Sequence, residues 1–315
     1  MENKKSGNLS KSDVISFVAI MLLGITVFFG MNFKTLGNKI PSVLVAVVLV
    51  VLMTVFVFLA AYAKLQNRNQ SMWKMVETVM VALYIVALIP CYMYSAKFYS
   101  IYFNKTEITQ QVENDFKNID KVFADYSRNC ESRGMAYQTK LEAMLTYTQG
   151  RARIAKLLDI KAENVNQTSV RQASESFINC LKGGEYQALE TEKDNLKNTA
   201  LTNFKNWNIL LLPQYVGHLN GAKERFTAEL KNIYDKYNND IEQSVPEFNP
   251  EVSTSETNIT SRFTESEGFS IFGLIGVIIF GGLGLVKYVF GEKRTVIDLK
   301  EGSAKAITDD GGFTF

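Results

Sequence analysis

Four long apolar runs, at 14–31, 42–63, 75–96 and 269–286, interrupt an otherwise polar chain. Each holds about 18–22 residues, enough to cross a hydrocarbon core of ~30 Å as a helix. Glu77 is the only charged residue inside them. The pattern predicts an all-α polytopic membrane protein with four transmembrane helices. It divides the chain into a lead (1–13), a three-helix membrane region (14–96), a long polar insert, a fourth span (268–290) and a tail (291–315). The first run is as long as the others and another soon follows, so a span is expected there and not a cleaved signal peptide.

Inside the insert the apolar positions change period. Val112, Phe116, Ile119, Phe123, Tyr126 and Cys130 follow one another in steps of four and three, which lays one apolar seam along a helix. The seam resumes at Tyr137, Leu141 and Met144, then Ile154 and Leu158. Gly134 lies in the gap and costs an unbroken helix only ~1 kcal/mol; one bent helix and two joined helices both fit. Unbroken, 106–149 reaches roughly 65 Å. A second seam comprises Leu189, Leu196, Phe204 and Trp207 and stops near Pro213. A third, Leu219, Phe226, Leu230, Ile233, Tyr237 and Ile241, ends before Pro246 and Pro250, which cannot donate to a helix ladder. A helical bundle or coiled-coil domain is therefore expected over 97–245. Residues 246–267, rich in Ser, Thr, Glu and Asn, read as a flexible tether.

Charge adds an orientation. Lys and Arg near spans are retained on the cytoplasmic side. With the N-terminus inside, eleven flanking cations (Lys4, Lys5, Lys11, Lys64, Arg68, Lys74, Lys287, Lys293, Arg294, Lys300, Lys305) are cytoplasmic, against Lys34 and Lys39 outside. Both termini are thus expected in the cytoplasm and 97–267 outside it. The insert holds 21 Lys and Arg against 24 Asp and Glu, a net of −3, whereas a nucleic-acid binder shows a basic face. No nucleic-acid partner is expected. The absence of a cleavable signal and the Lys- and Asn-rich composition favour a bacterial source, and so the inner (cytoplasmic) membrane.

Candidate chemistry is sparse. Glu77 is an intramembrane acid, a functional candidate by default, yet near enough to the interface to pair with Lys74 at i, i−3. Gly273, Gly276 and Gly284 lie roughly on one face of the fourth span and favour close helix packing, on the chain's own spans or on a second copy. Cys130 and Cys180 are the two cysteines of the insert, where an extracytoplasmic compartment can oxidise them. A bond between them closes about 50 residues and is worth roughly 4 kcal/mol in the chain-entropy account. The tail ends in an acidic, glycine-spaced peptide bearing Phe313 and Phe315, a candidate docking element. His218, the single histidine, has no Cys or carboxylate at ligand spacing, and the sequence carries no zinc, P-loop, dinucleotide or nucleophile-elbow motif. No catalytic residue, metal ligand or cofactor is expected.

These features point first to a non-enzymatic scaffold or anchor subunit of a larger envelope assembly, presenting a helical extracytoplasmic domain and a cytoplasmic tail to other envelope proteins. In layout alone, with no shared motif, the chain resembles inner-membrane subunits of bacterial trans-envelope secretion machines. A transmembrane sensor that signals through a partner is the alternative. A channel or transporter is less favoured, because the spans hold one charge and no paired broken helices. Besides membrane lipid, an oligomeric partner, a second copy or another protein, is expected.

Overall fold

The structure is a computed structural model that describes residues 10–66, 71–237, 248, 259–265 and 269–290. The described residues form α-helices and one 3₁₀ turn, with no strand among them. Four helices are long and apolar enough to cross a membrane: Lys11–Lys34, Lys39–Gln66, Ser71–Phe103 and Ile271–Phe290. The chain divides into two compact units, one of residues 1–105, 209–214 and 261–315, the other of 106–208 and 215–260. The tail with Phe313 and Phe315, and Pro246, Pro250 and Ile241, lie outside the described residues.

In the first unit, α1 (Lys11–Lys34) begins at a capping box. The Ser10 side chain accepts from the Asp13 amide and the Asp13 carboxylate accepts from the Ser10 amide, so two orphan donors of the first turn are matched reciprocally. The reversal into α2 (Lys39–Gln66) uses Leu36 and Gly37 at φ 49° and 89°. Gly37 tolerates that region because it has no Cβ to collide with the backbone. The third span, α3 (Ser71–Phe103), runs on through Pro90 into an aromatic stretch, Tyr92, Tyr94, Phe98, Tyr99 and Tyr102. The fourth is interrupted: α11 (Ile271–Gly284) ends, and after Leu285 a last turn, α12 (Val286–Phe290), closes it. Ile20, Leu23, Val27, Met53, Val57, Tyr84 and Cys91 make the buried centre. The outward faces stay apolar, with Val43, Val47, Val51 and Ile85 each about half exposed. A surface of that kind suits lipid and is not tolerated in quantity by water.

The second unit is built on α4 (Lys105–Met144), continuous over 40 residues. Of the two readings at Gly134 the unbroken one holds, and the glycine has a packing reason. A Cβ there would lie 2.4 Å from the Ile178 side chain on α6 (Gln167–Leu181), and the Ser174 hydroxyl donates to the Gly134 carbonyl at 2.8 Å. Between these helices come α5 (Thr148–Leu158), closed by Asp159 at φ 51°, and the 3₁₀ turn Ala162–Asn164. Val112, Phe116, Ile119, Phe123, Tyr126, Cys130, Tyr137, Leu141 and Ile154 are all buried. The second seam is α7 (Gly184–Lys205), with Leu189 and Phe204 buried. Trp207 lies past its end, at φ 49°, and so turns the chain where the sequence pattern made it a helix position. Pro213, which the division counts with the first unit, sits in the first turn of α8 (Leu212–Leu219), where its missing N–H is harmless. Of the third seam, Phe226, Leu230 and Ile233 are buried on α9 (Ala222–Lys236), while Leu219 ends α8; Gly221 at φ 71° separates two helices where the pattern expected one.

Within 246–267, expected as a tether, two stretches have a place. Phe248 is fully buried, its ring 5.3 Å from Tyr126 and 5.8 Å from Tyr234. Residues Ile259–Thr264 form α10, with Phe263 fully buried against Phe33 at 5.6 Å. The polar composition of this stretch masked two aromatic anchors.

Gly134→Val should destabilise the full-length protein by about 1–3 kcal/mol, the usual range for an overpacked contact. At Gly184, where a Cβ meets nothing within 4 Å, alanine should be neutral or stabilise by up to about 1 kcal/mol. Urea unfolding in detergent, followed by helical circular dichroism, measures both; equal effects at the two glycines would contradict the packing described.

Candidate functional site

The fourth span meets α3 and α1 along its glycines. A Cβ on Gly273 would come within 2.6 Å of the Ala96 backbone, one on Gly276 within 2.7 Å of the Tyr99 ring, and one on Gly284 within 2.2 Å of the Tyr84 hydroxyl. The missing side chains let the backbones close up, as expected in lipid. Tyr84, fully buried, donates to the Gly281 carbonyl at 2.8 Å. Of the two packing partners left open by the sequence, the chain's own spans occupy this face.

Polar groups collect at both ends of this unit. At one end Lys287 pairs with Asp13 at 2.5 Å and lies over the Phe58 ring. Lys64 donates to the Tyr288 and Val289 carbonyls at 2.7 and 3.0 Å. Glu77 accepts from the Tyr288 hydroxyl at 2.8 Å. The acid thus has a partner on the fourth span, 211 residues away in sequence, where the pattern offered Lys74 on its own helix. These bonds bring the start of α1, the end of α2, the start of α3 and the end of α12 together. At the other end Thr26 and Ser95 share a hydrogen bond of 2.8 Å. Lys97, 4% exposed, donates to the Arg262 and Glu265 carbonyls at the end of α10.

In the second unit the most deeply placed charge is Arg133, 2% exposed. Its guanidinium donates to the Tyr234 and Tyr237 carbonyls at the end of α9 and stacks over the Phe177 and Tyr234 rings. Tyr126 donates to the Leu181 carbonyl at 2.7 Å and lies parallel to Tyr186 at 5.2 Å. Burial, and then the neighbouring Cys130, push the Tyr126 phenol far above its ordinary range. A second cluster joins α7 to α4: Lys193 and Lys197 reach Asp120 at 3.3 and 2.6 Å. Burial works against the charge on Asp120, but hydrogen bonds from Lys197 and Lys193 outweigh it and hold the carboxyl below the usual range.

Cys130 and Cys180 are unbonded in this structure, which departs from the expected disulfide. The seam turns the Cys130 thiol inward, fully buried, and burial pushes it up to about 11; Cys180 is exposed on α6. The tie between α4 and α6 at this level is Glu131–Lys182, at 2.7 Å.

No protein-family model, curated protein or solved structure matches the chain. The molecule's own geometry is accordingly the guide to function. Among the described residues no three His, Cys, Asp or Glu side chains gather as metal ligands would. His218 is exposed, beside the Tyr215 ring. Each unit, taken by itself, instead has buried or half-buried cations directed at a helix end or a carboxylate. Arg133, Lys97 and Lys193 escaped the sequence pattern because a charged residue on a seam reads as a seam's edge.

Asp115 supplies a pH dependence. Burial pushes its carboxyl up to about 6, against the pull of Lys223. A folded-state value above the unfolded one means a contribution that is full below about pH 4 and is lost as pH rises through about 6. Asp115→Asn should therefore stabilise by about 1–2 kcal/mol at pH 7.5, after solvent screening, and by little at pH 4. Thermal unfolding of both proteins across that range is the measurement, and a difference that does not change with pH would refute the assignment. In an independent test, a maleimide reagent on the folded, unreduced protein should label Cys180 within minutes and Cys130 only after denaturation. Protection of both until a reductant is added would establish the disulfide instead.

Proposed function

We propose that the protein is a non-enzymatic integral membrane scaffold, an anchor subunit of a larger bacterial envelope assembly in the inner membrane. The observation that carries this reading is where the buried ionisable groups go. Asp13, Glu77 and Lys287 join helix to helix, while Lys64, Lys97 and Arg133 close helix ends. Charge deployed in this way holds a shape; catalysis asks for a perturbed acid or base converging with others on a cleft, and transport for a charge facing a water-filled path. The orientation follows from the flanking cations. Lys11, Lys64 and Lys287 belong to helix ends that gather at one end of the membrane unit, as a shared cytoplasmic side requires. Residues 97–267 then stand outside, the helical unit is offered to envelope partners, and the tail with Phe313 and Phe315 to cytoplasmic ones.

A sensor is the second reading. It is favoured by α3 and α4 being separated by Asn104 alone, so that a ligand-driven shift of the second unit has a short path to a span. The two readings differ in the assembly each requires. After chemical cross-linking in native membranes and extraction in mild detergent, the scaffold should run as a stable complex well above the 35.5 kDa chain, with protein partners in fixed ratio. Reporter fusions after Leu65 and after Asn164 should report opposite sides of the membrane. A monodisperse monomer without partners, from membranes and from purified material alike, would reject the scaffold and leave the sensor. Cytoplasmic signals from both fusions would reject the topology on which both depend.

A further inference from the structure

On the outer surface of the membrane unit α1 and α2 present neighbouring apolar faces. Between them lies an apolar groove of about 420 Å³, within the roughly 300–1,000 Å³ range of small-ligand sites. On α1 the lining runs through Met21, Gly24 and Phe28, and on α2 through Val43, Val47 and Val50. Its walls open outward, since Met21, Val43 and Val47 are each 42–53% exposed. Its floor is closed at Gly24, where the Val50 side chain packs so near that a Cβ would meet it at 2.3 Å.

Steps of three and four continue both linings toward the hairpin. On α1 the residue one turn beyond Phe28 is Asn32, and on α2 the residue one turn before Val43 is Lys39. Asn32 is fully buried, and neither amide atom has a hydrogen-bond partner, an expensive arrangement in an apolar setting. Lys39 is exposed and makes no ion pair among the described residues, and no acid occurs over residues 14–76. Lys34, the other cation of the hairpin, falls on the opposite side of α1. The groove therefore has an apolar length of about 10 Å along α1 and, one turn beyond its α2 lining, an exposed cation that no acid of this stretch offsets.

We propose that this groove is a binding site for an anionic phospholipid. One acyl chain lies between α1 and α2, and the phosphate sits on the Lys39 ammonium. A zwitterionic lipid fills the same groove but brings its own cation to Lys39, so the site distinguishes headgroups by charge. The inference requires only that the spans lie in a bilayer and is independent of the scaffold role.

The full-length protein, purified in mild detergent, is mixed with equal amounts of phosphatidylglycerol and phosphatidylcholine of identical chains, and bound lipid is counted by native mass spectrometry. Phosphatidylglycerol should be retained in about fivefold preference, the worth of one lysine near an anionic surface. Lys39→Gln should bring that preference to about one without changing the mass or helical content of the protein. Val47→Trp, which fills the groove from an exposed position, should reduce retention of both lipids. Equal retention by the unaltered protein, or a preference that survives Lys39→Gln, would show ordinary boundary lipid and overturn the proposal. So would a Val47→Trp variant that converts a dimer to a monomer, because the groove would then belong to a second copy.

Discussion

An α-helix ends in carbonyls that have no partner within it, and inside a bilayer or a packed core each unmatched group costs several kcal/mol. Three cations answer that demand here. Lys64 lies on the last carbonyls of α12, Lys97 on those of α10 and Arg133 on those of α9. Each also meets the negative end of the helix dipole, which favours its charge. Much of the local order depends on these placements. With Lys64 fixing the Tyr288 carbonyl, the Tyr288 hydroxyl reaches Glu77 and the neighbouring Lys287 reaches Asp13. With Arg133 fixing Tyr234, that ring takes its place edge-on to Tyr126 and beside Phe248.

The same constraint explains what could be read along the chain and what could not. Periodicity finds apolar faces, so the four spans and the seam from Val112 to Leu141 were legible residue by residue. It could not settle Gly134, because whether a glycine breaks a helix depends on what approaches it, and here that is Ile178 from another element. Nor could it place Glu77. The partner nearest in sequence was Lys74, while the one nearest in space is Tyr288 on the last turn of the fourth span. Buried cations are the systematic omission. Arg133 occupies a position where an apolar residue would continue the seam, and its burial rests on carbonyls that exist only once α9 has ended nearby. Phe248 and Phe263 were hidden differently, as single anchors in stretches whose average composition is polar.

The fourth span shows how closely the membrane unit uses its small residues. Gly273, Gly276 and Gly284 each abut a side chain or backbone of α3 or α1 at distances that leave no room for a methyl group. Association of helices in lipid has no hydrophobic drive, since the tails are as apolar as leucine, and depends on this kind of close contact and on hydrogen bonds across helices. Both are supplied inside the chain, by the glycines and by the Tyr84 and Thr26–Ser95 bonds. These close contacts and hydrogen bonds are thus made within the chain itself.

Selection of a protein partner, on the scaffold reading, falls to the surface of the second unit, and the energetics there suit it. Arg225 pairs with Glu192 and Glu229, Lys236 with Glu185, and Arg171 with Glu175, all at exposed or half-exposed positions. Exposed pairs of this kind are worth ~0–1 kcal/mol each, so exchanging one for a pairing with an incoming chain loses little. The cations that close helix ends are different in kind: withdrawing Arg133 or Lys97 would strand buried carbonyls. A partner can thus re-pair the surface charges while the helix-closing charges stay where they are, and the unit can change what it binds without changing its shape.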